Sequence, residues 1–246
     1  MNHTRILRRS LLLMLAATLS ACSNAPPAPT TRGEAHGASM SPSELAQSDA
    51  NRMATLGMRD NVDSLMRLAD KLYRRNPAEW RKTAASREAA LVRLRVAIDT
   101  NAPWVELQGR RDIAALSLAL GQEFRGDRVA AFVYASADML FAAHGGKASF
   151  YLTDSLDPQY IYNAARNVEI AAWLLSTRRN AAGQPLLLAD EINDRERNLS
   201  FEREFGKMIG RLDLLAVVLT EKYRRAVITY IQNLLGGTFL QFLPVR

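Results

Sequence analysis

The chain of 246 residues is 48% hydrophobic and 23% charged, a balance that excludes a largely disordered, collagen-like or low-complexity protein. Its single cysteine excludes a disulfide scaffold and a zinc site built from cysteines. The net charge of +7 falls to +4 when the three arginines before residue 10 are removed, and so mild a charge does not predict nucleic-acid binding.

The first 21 residues have the layout of a bacterial export signal. Three arginines precede the short apolar run 11–19, and small residues follow it. The run is too short for a stable membrane span, so we expect residues 1–21 to be a signal peptide that is removed. The pair Arg8 and Arg9 leaves the choice between general secretory export and twin-arginine export open.

The only cysteine stands directly after this signal. Leu19-Ser20-Ala21-Cys22 resembles the lipobox of bacterial lipoproteins. The resemblance implies that Cys22 becomes the mature N-terminus, with a diacylglyceryl thioether and an amine acylated by a fatty acid such as palmitate. Ser23 in the next position implies sorting to the outer membrane, with the protein facing the periplasm.

The remainder of the chain is predicted to be a tether followed by one helical domain. Residues 22–41 contain the lipidated cysteine and a segment rich in proline and alanine, which cannot bury enough apolar surface to fold. In residues 42–246, helical patterns dominate. The predicted fold class is all-α: a single multi-helix bundle with a long C-terminal helix and few or no short strands.

Four helix starts are marked by residues that typically cap a helix. They are the capping box Ser41-Pro42-Ser43-Glu44, Asn76-Pro77, Asp127 and Asp157-Pro158. Gly121 and Gly145-Gly146 are predicted to end helices. The apolar positions at helical spacing are Met58, Val62, Leu65, Ala69 and Leu72; then Ala89, Leu91, Leu94, Val96 and Ile98; then residues 112–120; then residues 128–143; then Ile161, Ala165, Val168, Ala172 and Leu175.

The C-terminal region carries the longest apolar pattern. Steps of four and three residues predict a helical seam that packs in an antiparallel bundle or a short coiled coil. Within the uncharged segment 226–245, we expect a helix end and tail that pack on the core; an interfacial or partner-binding segment and a membrane span are the alternatives. Strand-like pieces occur only at 150–152, 186–188 and 239–243. The seam residues are Phe201, Phe205, Met208, Leu212, Leu215, Leu219, Tyr223, Val227, Tyr230 and Leu234.

Two arginine-bearing turns flank the short helix predicted at 112–120. If they converge, Arg110, Arg111, Arg125 and Arg128 form a patch for lipid phosphates or an acidic partner. The alternative is a set of separate surface ion pairs with neighbouring acidic residues.

A second group of polar residues surrounds the predicted end of the apolar helix 128–143. Asp138 lies in that helix, where an unpaired carboxylate is costly, and it is followed by His144, Lys147 and Asp154. The sequence His144-Gly145-Gly146-Lys147 lacks the spacing of a phosphate-binding loop, and a helix C-cap explains it more simply. We therefore predict no catalytic residue, metal site or cofactor, and treat these four residues as a candidate polar site.

Residues 109–113, 154–158 and 198–203 are three segments of the domain that resemble parts of a group of uncharacterised proteobacterial lipoproteins. The resemblance implies a lipid anchor without implying an activity. The leading hypothesis is a non-enzymatic envelope binding or assembly factor with a protein partner. The alternatives are a carrier of lipid or another amphiphile, and a hydrolase of cell-wall or polysaccharide material that uses Asp138, His144 or Asp154.

Overall fold

The computed structural model describes residues 42–192 and 197–240. The predicted signal peptide, Cys22, the tether 22–41 and residues 241–245 of the uncharged segment lie outside these ranges. The chain divides into two compact units, residues 1–46 and residues 47–246. In the first unit, the described part contains a short 3-10 turn, Pro42–Ala46.

The second unit is all-α, as the periodicity predicts. Its only strands within the described ranges are β1 (Glu191–Ile192) and β2 (Arg197–Asn198), which pair antiparallel. A 3-10 turn spans Val105–Leu107. The helices are α1 (Asp49–Arg75), α2 (Pro77–Trp80), α3 (Arg87–Asp99), α4 (Asp112–Ala119), α5 (Arg128–Ala143), α6 (Pro158–Thr177) and α7 (Ser200–Leu240).

Three of the four predicted starts coincide with helix starts. The Asp127 carboxylate accepts a hydrogen bond from the backbone N–H of Ala130, and Asp157 accepts one from Gln159. Asn76 precedes α2, although that helix is only one turn long. The first predicted start coincides only with the 3-10 turn Pro42–Ala46, and α1 begins later, at Asp49, where the side chain of Ser48 accepts from the N–H of Asn51.

Helix α5 is the centre of the unit, and nearly all of its side chains are buried. It packs against α1, α4 and α6, and it also contacts α2 and α3. Its sequence explains this position, because a helix that is apolar on every side must be covered all round. The predicted stripe on α3 is only partly correct: Leu94 and Ile98 are buried, whereas Ala89 and Val96 face outward.

Helix α7 runs antiparallel to α1 and to α6. Lys71 of α1 contacts the carbonyl of Ser200, and Asn61 of the same helix contacts Arg211 further along α7. Along α6, Arg166 pairs with Asp213. The first half of the predicted seam fills these two interfaces, and its residues are buried: Phe201, Phe205, Met208, Leu212, Leu215 and Leu219.

The second half of α7 corrects the expectation that segment 226–245 packs on the core. The side chains of residues 226–234 are exposed. Among the described residues, α7 continues past the helices that cover its first half, which leaves this apolar stripe exposed. The strand-like pieces at 150–152 and 186–188 form no strand; Phe150 is instead a buried core residue.

Candidate functional site

The four arginines proposed as a patch lie toward opposite ends of α4. Arg128 is buried, and its guanidinium donates to the carbonyl oxygens of Ala119, Gly121 and Phe124 at 2.6–2.9 Å. It therefore holds the chain after α4 against the start of α5, and it does not face a ligand.

The other three arginines are at the surface. The guanidinium of Arg111 donates two hydrogen bonds, of 3.0 and 2.6 Å, to the Asp138 carboxylate. Arg111 is therefore the charge partner of the acidic residue in the apolar helix α5. Arg125 lies 3.4 Å from Glu123, and both side chains are largely exposed. Arg110 lines a separate shallow depression with Arg111. The arrangement corresponds to separate ion pairs and not to a converged anion site.

The proposed polar group is also divided. Asp138 belongs to the pair with Arg111, whereas Lys147 and Asp154 pair with each other across the loop that follows α5. The hydrogen bond from Lys147 holds the pKa of Asp154 below its usual range, with help from the backbone N–H of Tyr151. His144 is separate from both pairs and buried.

A buried polar network that the sequence did not indicate connects α1 and α2 to the start of α5. The hydroxyl of Tyr73 donates to Asp127 at 2.7 Å, and Thr83 donates to the same carboxylate oxygen at 3.3 Å. Glu79 accepts from the backbone N–H of Arg128 at 2.7 Å. Burial raises the pKa of both Tyr73 and Asp127. Each member is used in fixing the helix start, so we regard this network as structural.

A cavity of about 450 Å³ lies between α1 and α7. Apolar side chains of both helices line it, together with polar side chains of the same helices and His144 at the end of α5. Gly57 supplies no side chain, so the wall of α1 recedes at its position. The lining residues are Asp49, Arg52, Met53, Leu56, Gly57, Asp60, Asn61, His144, Arg211, Leu212, Leu214 and Leu215.

One end of this cavity is fixed by Arg211. Its guanidinium donates to the side-chain oxygen of Asn61 at 3.0 Å and to the hydroxyl of Ser64 at 3.2 Å. Asn61 and Ser64 are both buried, so these contacts fix the spacing of α1 and α7. Arg211 therefore connects the two helices beside the apolar part of the cavity.

His144 is the C-cap of α5 and contributes to the cavity wall. Its ring is only 1% exposed, and Nδ1 lies 2.8 Å from the carbonyl oxygen of Leu140. A carbonyl can only accept, so Nδ1 carries the hydrogen. Burial lowers the pKa of His144, which leaves the ring neutral at pH 7 and makes Nε2 a lone-pair acceptor. Among the described residues, no group donates to Nε2.

The end of α5 confirms the helix end predicted at Gly145-Gly146. Both glycines have the left-handed backbone, with φ of 67° and 75°, and Gly146 N–H donates to the carbonyl of Phe141 at 2.7 Å. His144 stands at this cap as predicted, with its ring buried and its pKa lowered by that burial.

Sequence reasoning missed Gly57, Asn61 and Arg211. A usable signal existed for Gly57, because glycine in the middle of an amphipathic helix is costly without a reason. The packing of α1 against α7 brings Asn61 and Arg211 together, and the sequence of either helix alone does not predict that packing.

The second surface feature is the exposed stripe of Tyr223, Val227, Tyr230 and Leu234 on α7, which we call the open seam. These side chains are 46–69% exposed. They continue the four-and-three spacing of the buried half of the same helix. The hydroxyl of Tyr223 still reaches the carbonyl of Leu156 at 3.2 Å, so the open seam begins where the contact with the rest of the unit ends.

Comparison of the chain with protein-family models, curated proteins and solved structures finds no match. In residues 42–192 and 197–240, no three His, Cys, Asp or Glu side chains are grouped so that they could hold a metal ion. Across the same part of the chain, no helix has the length and apolar character required to cross a membrane.

Proposed function

We propose that the protein is a non-enzymatic envelope binding or assembly factor, lipid-anchored at Cys22 in the outer membrane and facing the periplasm. The anchor is supported by the lipobox-like Leu19-Ser20-Ala21-Cys22, and the destination by Ser23. We further propose that the domain binds a helix of another envelope protein through the open seam.

The observation that carries this proposal is the exposure of the open seam. Soluble monomers rarely leave a contiguous apolar patch of more than a few hundred Å² in water. Full burial of one large apolar side chain stabilises by about 1.5–3 kcal/mol, so covering several of them gives a strong drive for association. Four-and-three spacing is the pattern of a helix that packs on another helix, which makes a helical partner the matching occupant.

The geometry of α7 also indicates where such a partner would bind. Arg211 lies opposite Asn61, and both helices rise by about 1.5 Å per residue. Since they are antiparallel, α1 begins roughly level with Tyr223. Residues beyond that level project from the end of the bundle at which α1 begins. A partner on the open seam would therefore bind at this end.

Site-specific photo-cross-linking in living cells tests the proposal. A photoreactive amino acid replaces Val227 or Tyr230 in the lipidated protein, and Val92 on α3, which is 63% exposed, serves as the matched control. We expect one recurrent adduct with another envelope protein from both seam positions and no such adduct from Val92. Tyr230→Glu should abolish the Val227 adduct, because it places a charge in the buried contact.

Two results would refute this function. If the seam positions give no adduct, or the same adducts as Val92, the open seam is not a partner surface. If the adduct has the mass of two copies of this chain, the partner is the protein itself and not another envelope component.

A further inference from the structure

A depression of about 290 Å³ lies where the segment 101–111 meets the middle of α5. The backbone around it is unusual, because the three non-glycine residues with a left-handed conformation in the described ranges are Asn101, Gln108 and Asp112, with φ of 50–55°. Such conformations are costly and persist only where the surrounding structure fixes them, as it commonly does at binding sites. One wall of the depression is therefore held in a defined shape.

The hydroxyl of Tyr134 is the unpartnered polar group of this depression. Tyr134 is only 7% exposed, and its ring centroid lies 5.5 Å from that of Trp104. Among the described residues the hydroxyl has no hydrogen-bond partner, yet it is not closed off from solvent, so a molecule in the depression can reach it. Burial raises the pKa of Tyr134, so the hydroxyl keeps its proton at neutral pH and can donate a hydrogen bond.

The charged groups of the depression have one positive charge in excess. Of the four arginines predicted as a patch, only Arg110 and Arg111 line it. Arg111 uses Nε and Nη2 to bind Asp138, which leaves Nη1 without a partner in the described part of the chain. Arg110 forms no ion pair with any described residue. Asp138 lies one helical turn after Tyr134 on the same face of α5, so the arginine pair and the hydroxyl are neighbours.

The remaining lining is largely apolar. Pro103 and Leu107 contribute to it, and Val105 on the 3-10 turn is 86% exposed. Covering an apolar side chain of this size removes it from water and favours binding. A ligand that matches both parts of the depression has an anionic group and an apolar body.

We propose that this depression binds a small organic carboxylate. Its carboxylate group accepts hydrogen bonds from the hydroxyl of Tyr134 and the guanidinium groups of Arg110 and Arg111, and its apolar body covers Val105. A guanidinium binds a carboxylate strongly because the hydrogen bonds are charge-assisted. The single excess positive charge matches a monoanion, whereas the second charge of a phosphate ester would be repelled by Asp138.

The volume of about 290 Å³ is at the lower end of the range for small-molecule sites, about 300–1,000 Å³, which favours a small ligand. The depression shares no residue with the open seam. It is therefore independent of the proposed protein partner.

NMR of the tryptophan indole N–H groups tests the proposal, with the full chain carrying Cys22→Ser so that no acyl chain is attached. The chain has three tryptophans, and of these only Trp104 lines the depression. We expect benzoate to shift the indole resonance of Trp104 and to leave those of Trp80 and Trp173 in place. Benzamide has the same ring without the charge, and it should bind at least about tenfold more weakly than benzoate. Acetate has the charge without the ring, and it should also bind more weakly.

Two substitutions test the residues that hold the carboxylate. Tyr134→Phe and Arg110→Gln should each weaken benzoate binding by about tenfold. Neither removes a side-chain hydrogen bond within the described structure, so the midpoint of thermal unfolding should stay unchanged. Tyr160→Phe and Arg125→Gln are the matched controls: both residues are exposed and lie outside the depression, so these variants should bind benzoate as the parent chain does.

The proposal is overturned if benzoate leaves the Trp104 resonance unchanged up to its solubility limit, or if benzamide binds as tightly as benzoate. It is equally overturned if either folded variant, Tyr134→Phe or Arg110→Gln, binds benzoate as the parent chain does. Tighter binding of inorganic phosphate than of benzoate would also contradict it, because the site would then select charge and not a carboxylate with an apolar body. Should a variant not fold, the comparison of benzoate, benzamide and acetate on the parent chain still decides the question.

Discussion

The side chains of Tyr73 and Asp127 are both fully buried, and each depends on the other for a hydrogen bond. Tyr73→Phe removes the donor and leaves the Asp127 carboxylate with Thr83 and the N–H of Ala130 as partners. We expect the free energy of unfolding to fall by about 1–3 kcal/mol, because a buried charged acceptor loses its shortest hydrogen bond. Urea denaturation measures the change.

Tyr223→Phe is the matched control for this prediction. It also removes one tyrosine hydroxyl and one hydrogen bond, to the carbonyl of Leu156, but Tyr223 is 46% exposed. Water can replace the lost bond, so the loss should be below about 1 kcal/mol. Equal losses in the two variants would show that the buried network does not fix the start of α5.

His144 gives the domain a specific dependence on pH. Its pKa in the folded protein is lowered by burial, while in the unfolded chain it is near 6.5. Below pH 6.5 the unfolded chain takes up a proton that the folded protein resists, so the free energy of unfolding should decrease as the pH is lowered from 7.5 to 5.5. Residues 47–246 contain no other histidine, but burial raises the pKa of Asp127, Asp190 and Glu202, and these groups act in the opposite sense, so the effect of His144 is read from a variant that lacks it.

Urea denaturation at the two pH values tests this expectation, and His144→Phe is the comparison. The variant keeps a ring beside Phe150, whose ring centroid lies 5.7 Å away, but it cannot bind a proton. Its loss of stability between pH 7.5 and 5.5 should be smaller than that of the parent chain. The same loss in both proteins would assign the pH dependence to other groups.

At the level of the helix, Gly57 and Gly145 lead to opposite expectations for the same substitution. Gly57→Ala should stabilise the protein by about 0.5–1 kcal/mol, because the helical backbone accepts a Cβ and nothing obstructs it. Gly145→Ala should destabilise by about 1–2 kcal/mol, because φ at this turn is 67°. Thermal unfolding of both variants measures the signs, and a stabilising Gly145→Ala would contradict the cap geometry.

Helix starts could be predicted from the sequence more reliably than the packing of one helix on another. Asp127 and Asp157 mark real starts because a cap is a local interaction between a side chain and the next turn. The capping box at Ser41 is followed only by the 3-10 turn Pro42–Ala46, and α1 begins after Ser48, which offers an equally local cap nearer to the apolar stripe. The cavity was not predictable in the same way, since it depends on how Gly57 and Leu212 are placed by the packing of two distant helices.

For the molecule as a whole, three features are arranged around one end of the bundle. Helix α1 begins there, the open seam projects there, and the cavity lies alongside the first turns of α1. The exposed seam and the cavity therefore lie toward the same end of the second unit.

Substitution at Cys22 tests the proposed lipid anchor. Cys22→Ala should transfer the protein from the membrane fraction to the soluble periplasmic fraction, because several acyl chains hold a protein firmly and each buried methylene contributes about 0.8 kcal/mol. Labelling with a fatty-acid analogue and membrane fractionation measure the change. Ser23→Asp is the control: it should remain acylated and membrane-bound but accumulate in the inner membrane, as sorting by the residue after the cysteine implies. Continued acyl labelling of Cys22→Ala would exclude Cys22 as the lipid attachment site.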